Sequence, residues 1–266
     1  MAFWRRLLEG TSWQALVGYV SPAFFQLVSP RDISHTTYVL IRNWFDESTF
    51  RALVQERAAS IQALDCGLTI TGSTRRRKDR RAFLSEVTPC SEPSSHYRTG
   101  EQALILFFHQ IYREGPILLD LRRCHFCSKN DGNRLNFIAT PLYCTWSPSF
   151  RSAMRDLYAS FYGGASRADF MSALSSLGIA PAADAFERAF GGERKSAARF
   201  LLTEFRATFH EVFLRCLETR TTLQADFLTL GIALATLYDH LELDGGTYDV
   251  AACYARAVAS VRGGPG

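Results

Sequence analysis

The strongest constraint in this chain is its helix punctuation. From residue 101 onward, apolar residues recur at helical spacing in segments that each open and close on a recognisable signal. In "SPSFRSAMRDLYASFYGG", Ser147 is placed to cap, Pro148 takes the first helical position and Gly163 closes the C-terminus. "SRADFMSALSSLG" repeats the pattern, with Ser166 as cap, Asp169 three residues on and Gly178 as stop. "EQALILFFHQIY" is apolar enough for a buried helix and ends at Gly115-Pro116. A longer helix is predicted from about Glu193 to Thr219, and two more over roughly 224–243 and 248–261, parted by Gly245-Gly246. At 266 residues and 47% hydrophobic, such a chain can bury a substantial core in one domain or two. The fold class predicted is mostly α.

The β content is expected to be small. Two apolar runs, "ILLDL" and "LNFIAT", flank the polar "KNDGN", where Asp131-Gly132 is a strong turn signal, so a β-hairpin is predicted there. Nearer the N-terminus, "TTYVLIRNWF" reads as a strand and "STFRALVQERAASIQAL" as a helix capped by Ser48. Cys66 to Gly100 is polar, basic and rich in Pro and Ser, and reads as an irregular loop. The chain therefore divides into residues 1–100, an N-terminal arm with a short α/β segment and a basic loop, and a helical domain over 101–266. No internal repeat is present. Ser21-Pro22 breaks the first apolar run and "FLTLGIALATLY" is short, so neither reaches the roughly 20 residues of a membrane span.

Charge points away from nucleic acid. The formal net charge is +4, and much of it resides in "RRRKDRR" at 75–81. No aromatics are interleaved there to stack bases, so the run reads as a solvated loop before an anionic contact. The seven cysteines are an odd set at irregular spacing, and no secretory signal pattern is read, so reduced thiols in an intracellular compartment are expected. "MAFWRRLLEGTSWQALVGYVSPAFFQLV" fits an amphipathic mitochondrial presequence or membrane-surface helix, and equally an ordinary N-terminal helix.

Few residues suggest chemistry. Cys124 and Cys127, with His125 between them, have the spacing of half a zinc site, but such a site needs four ligands. The other thiols nearby, Cys90 and Cys144, are single, with His96 as a candidate fourth ligand, so packing thiols are the preferred reading and no metal or cofactor is expected. Nucleophilic catalysis by a Cys-His pair has its ingredients but no distinguishing pattern. The motifs G-x-S-x-G, H-E-x-x-H, G-x-x-x-x-G-K-[ST] and G-x-G-x-x-G are absent, and the Gly-Gly pairs fall where helices stop.

The order of elements from residue 101 adds a resemblance. A buried helix, an apolar run with an Asp, a polar turn, a second apolar run, then Ser-Pro-x-x-Arg opening a helix is similar to the C-terminal lobe of UbiB/AarF-type atypical kinases. The similarity covers roughly 101–260. In that family the catalytic loop reads H-A-D-x-H-P-G-N and is followed by D-F-G. Laid on "GPILLDLRRCHFC", Asp120 falls on the catalytic Asp and Leu118 replaces the preceding His. Cys124 stands on the Gly and His125 on the metal-binding Asn. Ala139-Thr140-Pro141 occupies the place of D-F-G. Kinases hold Mg²⁺ through the D-F-G Asp and that Asn, whereas an alanine cannot bind metal and an imidazole is a poor Mg²⁺ ligand. The first hundred residues hold no phosphate loop and one lysine, Lys78, so the N-terminal lobe reads as missing or vestigial.

The resemblance thus implies a pseudokinase: a helical C-lobe-like remnant with a small β-hairpin, relic positions Asp120, His125 and Ala139, no catalysis and no cofactor. The expected role is a structural or interaction subunit of a larger, membrane-associated mitochondrial complex. Its partners would be other protein subunits, with the N-terminal arm as the membrane-surface or lipid contact. Peripheral attachment to the inner membrane is the expected location, with the cytoplasm as the alternative. The alternative function is a lipid- or quinone-binding accessory factor of ubiquinone metabolism.

Overall fold

The computed structural model describes residues 19–72, 75–76, 83–84, 99–128, 134–190 and 197–262, and the chain is mostly helical with a small sheet. The first described helices form where a serine cap meets a proline. Ser21 accepts the Phe24 N–H at the head of α1 (Pro22–Leu27), and Ser29 accepts that of Asp32 at the head of α2 (Pro30–Arg42). Proline suits the first helical position because its missing N–H has no helical partner there. The segment predicted as a strand, Thr36 to Phe45, is instead the body of α2 and a 3-10 turn, Asn43–Phe45. Strand preferences span only about 1 kcal/mol, and a capped helix start upstream outweighs them. α3 (Glu47–Gln62) is capped by Asp46 rather than Ser48: the carboxylate accepts the Thr49 N–H at 3.1 Å and the Ser48 hydroxyl at 3.0 Å.

Part of the expected irregular loop is ordered as sheet. β1 (Leu68–Gly72) lies in it, and β2 (Arg75–Arg76) pairs antiparallel with β3 (Phe83–Leu84). The other residues between 73 and 98 lie outside the described set. β6 (Leu135–Ala139) is central in the three-stranded sheet, parallel to β1 and antiparallel to β5 (Phe126–Ser128), with Phe126 opposite Phe137.

The predicted hairpin therefore has a different first strand, and its turn, 129–133, lies outside the described residues. Of "ILLDL", only β4 (Ile117–Leu118) is a strand, pairing with β7 (Tyr143–Cys144). The Leu119 N–H still bonds the Leu142 carbonyl at 2.9 Å, but the Leu119 carbonyl and both backbone groups of Leu121 turn to a helix. Thr236 donates its hydroxyl to the Leu119 carbonyl at 2.7 Å and accepts the Leu121 N–H at 3.2 Å, while His240 Nδ1 lies 2.9 Å from the Leu121 carbonyl. Buried backbone must be paired, and side chains do here what a neighbouring strand would do.

The helices after residue 99 follow their punctuation closely. α4 (Gly100–Tyr112) is buried from Ala103 to Ile111. α5 (Pro148–Tyr162) carries Ser147 as cap, and α6 (Arg167–Leu177) has a reciprocal Ser166–Asp169 box and Gly178 at φ +75°. A 3-10 turn, Ala180–Ala182, leads into α7 (Ala183–Phe190). α8 (Leu202–Glu218) starts later than predicted, because Ala198 and Tyr248 exchange two 2.9 Å backbone hydrogen bonds that hold residue 198 extended. α9 (Asp226–Asp244) is buried without a break from Phe227 to Leu241, and α10 (Val250–Arg262) packs on α4. One buried apolar cluster runs from Tyr19 to Val258, drawing on residues both before and after position 100.

The C-terminal end of α4 is held by three arginines. Arg151 donates to the carbonyls of Gln110, Arg113 and Gly115. Arg155 takes those of Ile111 at 2.8 Å and Tyr112 at 3.1 Å, and Arg57 those of Glu114 at 2.6 Å and Pro116 at 2.7 Å. Every carbonyl from 110 to 116 thus faces a guanidinium, which satisfies the orphan acceptors and the negative end of the helix dipole together.

Candidate functional site

The positions singled out in the sequence, Asp120, His125 and Ala139, separate into a polar knot and an apolar one. Asp120 is 5% exposed and sits just past β4. Arg122 forks onto its carboxylate, Nε to Oδ1 at 2.8 Å and Nη2 to Oδ2 at 2.7 Å. His125, on the 3-10 turn Arg123–His125, brings Nε2 to 2.9 Å from the same Oδ2. The chain can fold this way because the turn reverses the backbone between Arg122 and β5, returning His125 onto Asp120.

The charges of this knot reinforce one another. Burial raises the Asp120 carboxyl, but the imidazolium and guanidinium beside it win and hold it far below the usual carboxylate range. Burial works against a proton on His125, yet the Asp120 carboxylate, with a smaller push from Cys124, lifts its pKa to about 9. Asp120 draws Arg122 upward as well. A carboxylate saturated in this way is a poor general base at neutral pH, and His125 is a cation rather than a ligand.

A second buried histidine lies beside the knot with the opposite charge state. His240 contacts the Leu121 carbonyl through Nδ1, which must therefore carry the proton, so Nε2 accepts the Thr99 hydroxyl at 2.6 Å. Burial pushes its pKa down to about 4. Asp244 completes the group, accepting the Gly100 N–H at 3.0 Å and the Tyr248 hydroxyl at 3.1 Å, which caps α4. Thr99, Thr236, His240 and Asp244 were not singled out in the sequence. Their signal is weak, because each is one polar residue in or beside a long apolar helix.

Ala139 ends β6 opposite Gly72, fully buried, and offers only a methyl group. Cys124 is an exposed free thiol. Cys127 is disulfide-bonded, contrary to the expectation of reduced thiols, so Cys124 and Cys127 do not form a thiolate pair for zinc. Among the described residues, no three His, Cys, Asp or Glu side chains converge as a metal site. Cys90 and His96 lie outside those residues. Burial pushes the Cys144 and Cys253 thiols up to about 12, which leaves them inert packing groups.

What remains chemically conspicuous is apolar. A cavity of about 60 Å³ lies among α4, α5, α7, α8 and α9, walled by aromatic and leucine side chains. Among the described residues, no helix is long and apolar enough to cross a membrane. No family model, curated protein or solved structure matches this chain.

Proposed function

We propose that this chain is a non-catalytic interaction subunit of a larger assembly, built on the frame of a UbiB/AarF-type atypical kinase and attached to a mitochondrial membrane surface. The observation that carries the reading is α2. It is thirteen residues long and buries only Leu40, with Ile33 partly packed. Helices shorter than ~12–15 residues are marginal in water, and in proteins their stability comes mainly from packing. Phe25, Tyr38 and Phe45, on and beside α2, are 51%, 62% and 58% exposed. Such aromatics are the residues that anchor protein interfaces. The saturation of Asp120 by Arg122 and His125 supports the non-catalytic half of the reading.

Crosslinking mass spectrometry of the native protein tests it. Crosslinks from residues 25–45 to other polypeptides are expected. Crosslinks confined within this chain would overturn the reading. The lipid- or quinone-binding alternative is favoured by one observation, the apolar cavity.

A further inference from the structure

We propose that the outward stripe of α2 receives an acidic segment of a partner subunit, two carboxylates flanking an apolar side chain. The proposal rests on the interaction-subunit reading and names the chemistry of the partner at that surface. Residues four, seven and eleven apart share one face of a helix, so Arg31, His35, Tyr38 and Arg42 form a single line along α2. All four are exposed, while Leu40 and Ile33 on the opposite side make the contacts with the core.

The two arginines do little for the fold itself. Arg31 stands in the first turn, at the positive end of the helix dipole, where a cation is unfavourable. Asp32 is the acid of that turn and projects about a quarter-turn away from the stripe. Arg42 lies in the last turn, where a cation suits the dipole, but the acid four residues on, Asp46, is already engaged by Ser48 and Thr49. Among the described residues neither Arg31 nor Arg42 forms an ion pair, whereas nearby Arg51 pairs with Glu47 at 2.7 Å. A guanidinium presents a fixed fork of donors that matches a carboxylate. Tyr38, between the two forks, offers a flat apolar ring, and Arg and Tyr are among the residues that carry binding energy at protein interfaces. Eleven residues of helix set the two arginine backbones about 16 Å apart, which fixes the spacing of the partner's carboxylates to within side-chain reach. An anionic membrane fits this face less well. Lipid recognition uses clusters of about four to eight basic residues, or a face of Trp, Phe and Leu that enters the bilayer, and this stripe has two arginines and one tyrosine.

The test uses the tagged full-length protein expressed in its source, treated with a carbodiimide that joins an amine to a carboxylate with loss of water and leaves no spacer. Arg31→Lys and Arg42→Lys keep the charge and place an amine at each end of the stripe. The sequence has three lysines of its own, Lys78, Lys129 and Lys195, so the new crosslinks are distinguishable by mass spectrometry. Both new amines should couple to Asp or Glu side chains of one other polypeptide. Arg31→Glu combined with Arg42→Glu should lower the fraction of the chain in the large native species at least about tenfold, because like charges across an interface repel. The melting temperature of the purified double variant should be unchanged, since both positions are exposed. Full co-migration of the double variant with the large species, or coupling of the new amines only within this chain, overturns the stripe as the contact and leaves the subunit reading standing. Coupling to a second copy of this chain overturns the acidic partner in favour of self-association. Wild-type protein that runs free at 29.9 kDa and binds phosphatidylglycerol vesicles through the two arginines overturns both readings.

Discussion

His125 should make this protein less stable as pH rises from 6.5 to 9. Its imidazolium is paired with Asp120 at 2.9 Å and is 2% exposed, and its pKa rises from 6.5 to about 9 on folding. A group with a raised folded pKa binds its proton more tightly when folded. Its contribution is therefore complete below the unfolded pKa and lost as pH climbs through the folded one. At 1.36 kcal/mol per pKa unit, the loss is about 3 kcal/mol. Urea denaturation at half-unit steps from pH 6 to 9 reads this directly. With a urea dependence of about 2–3 kcal/mol per molar, the midpoint should fall by roughly 1 M. Buried thiols add a decline only near and above their unfolded pKa of about 8.5, so His125→Asn is the control that isolates the effect. A midpoint that stays level from pH 6.5 to 8.5, or a decline that His125→Asn leaves unchanged, would refute the pairing.

Below pH 6.5 the trend should reverse, since burial pushes the pKa values of His109 and His240 down to about 4 and stability is lost as they are forced to protonate; the titration carried down to pH 4 should show a maximum near pH 6.5. Asp120→Asn leaves buried His125 without its carboxylate partner and frees half-buried Arg122, and should cost about 3–5 kcal/mol in a urea melt. Arg151→Met strips the carbonyls of Gln110, Arg113 and Gly115 of their donor and should destabilise by at least about 3 kcal/mol, measured the same way. Gly231→Ala drives a methyl into the Tyr19 ring, which packs against α9, and should lower stability by roughly 1–3 kcal/mol with loss of near-ultraviolet dichroism from that ring.

The legible parts of the fold are those whose signals are local. α5 and α6 were readable to the residue because serine caps, a first-position proline and closing glycines act within four residues of chain. α2 was not, because Thr36, Thr37, Tyr38 and Val39 argue for strand while the deciding Ser29-Pro30 lies a turn and a half upstream. The partner of β6 was missed for a longer-range reason. Thr236 and His240, more than a hundred residues away, take the backbone of Leu119 and Leu121 and leave Phe126 to supply the strand. The site divides the same way. The resemblance to a kinase catalytic loop picks out Asp120 and His125, and they do meet, but the fork from Arg122 depends on a 3-10 turn that no pattern announced. The arginine clamp on α4 draws Arg57 and Arg151 from opposite sides of that helix in sequence, and nothing in either neighbourhood marks it.

The most direct measurement is the native size of the protein after gentle detergent extraction from its source, by native electrophoresis and mass spectrometry of the band that carries this chain. An interaction subunit should co-migrate at fixed stoichiometry with other polypeptides of a membrane-associated complex. A free species at the chain's own mass of 29.9 kDa would contradict it.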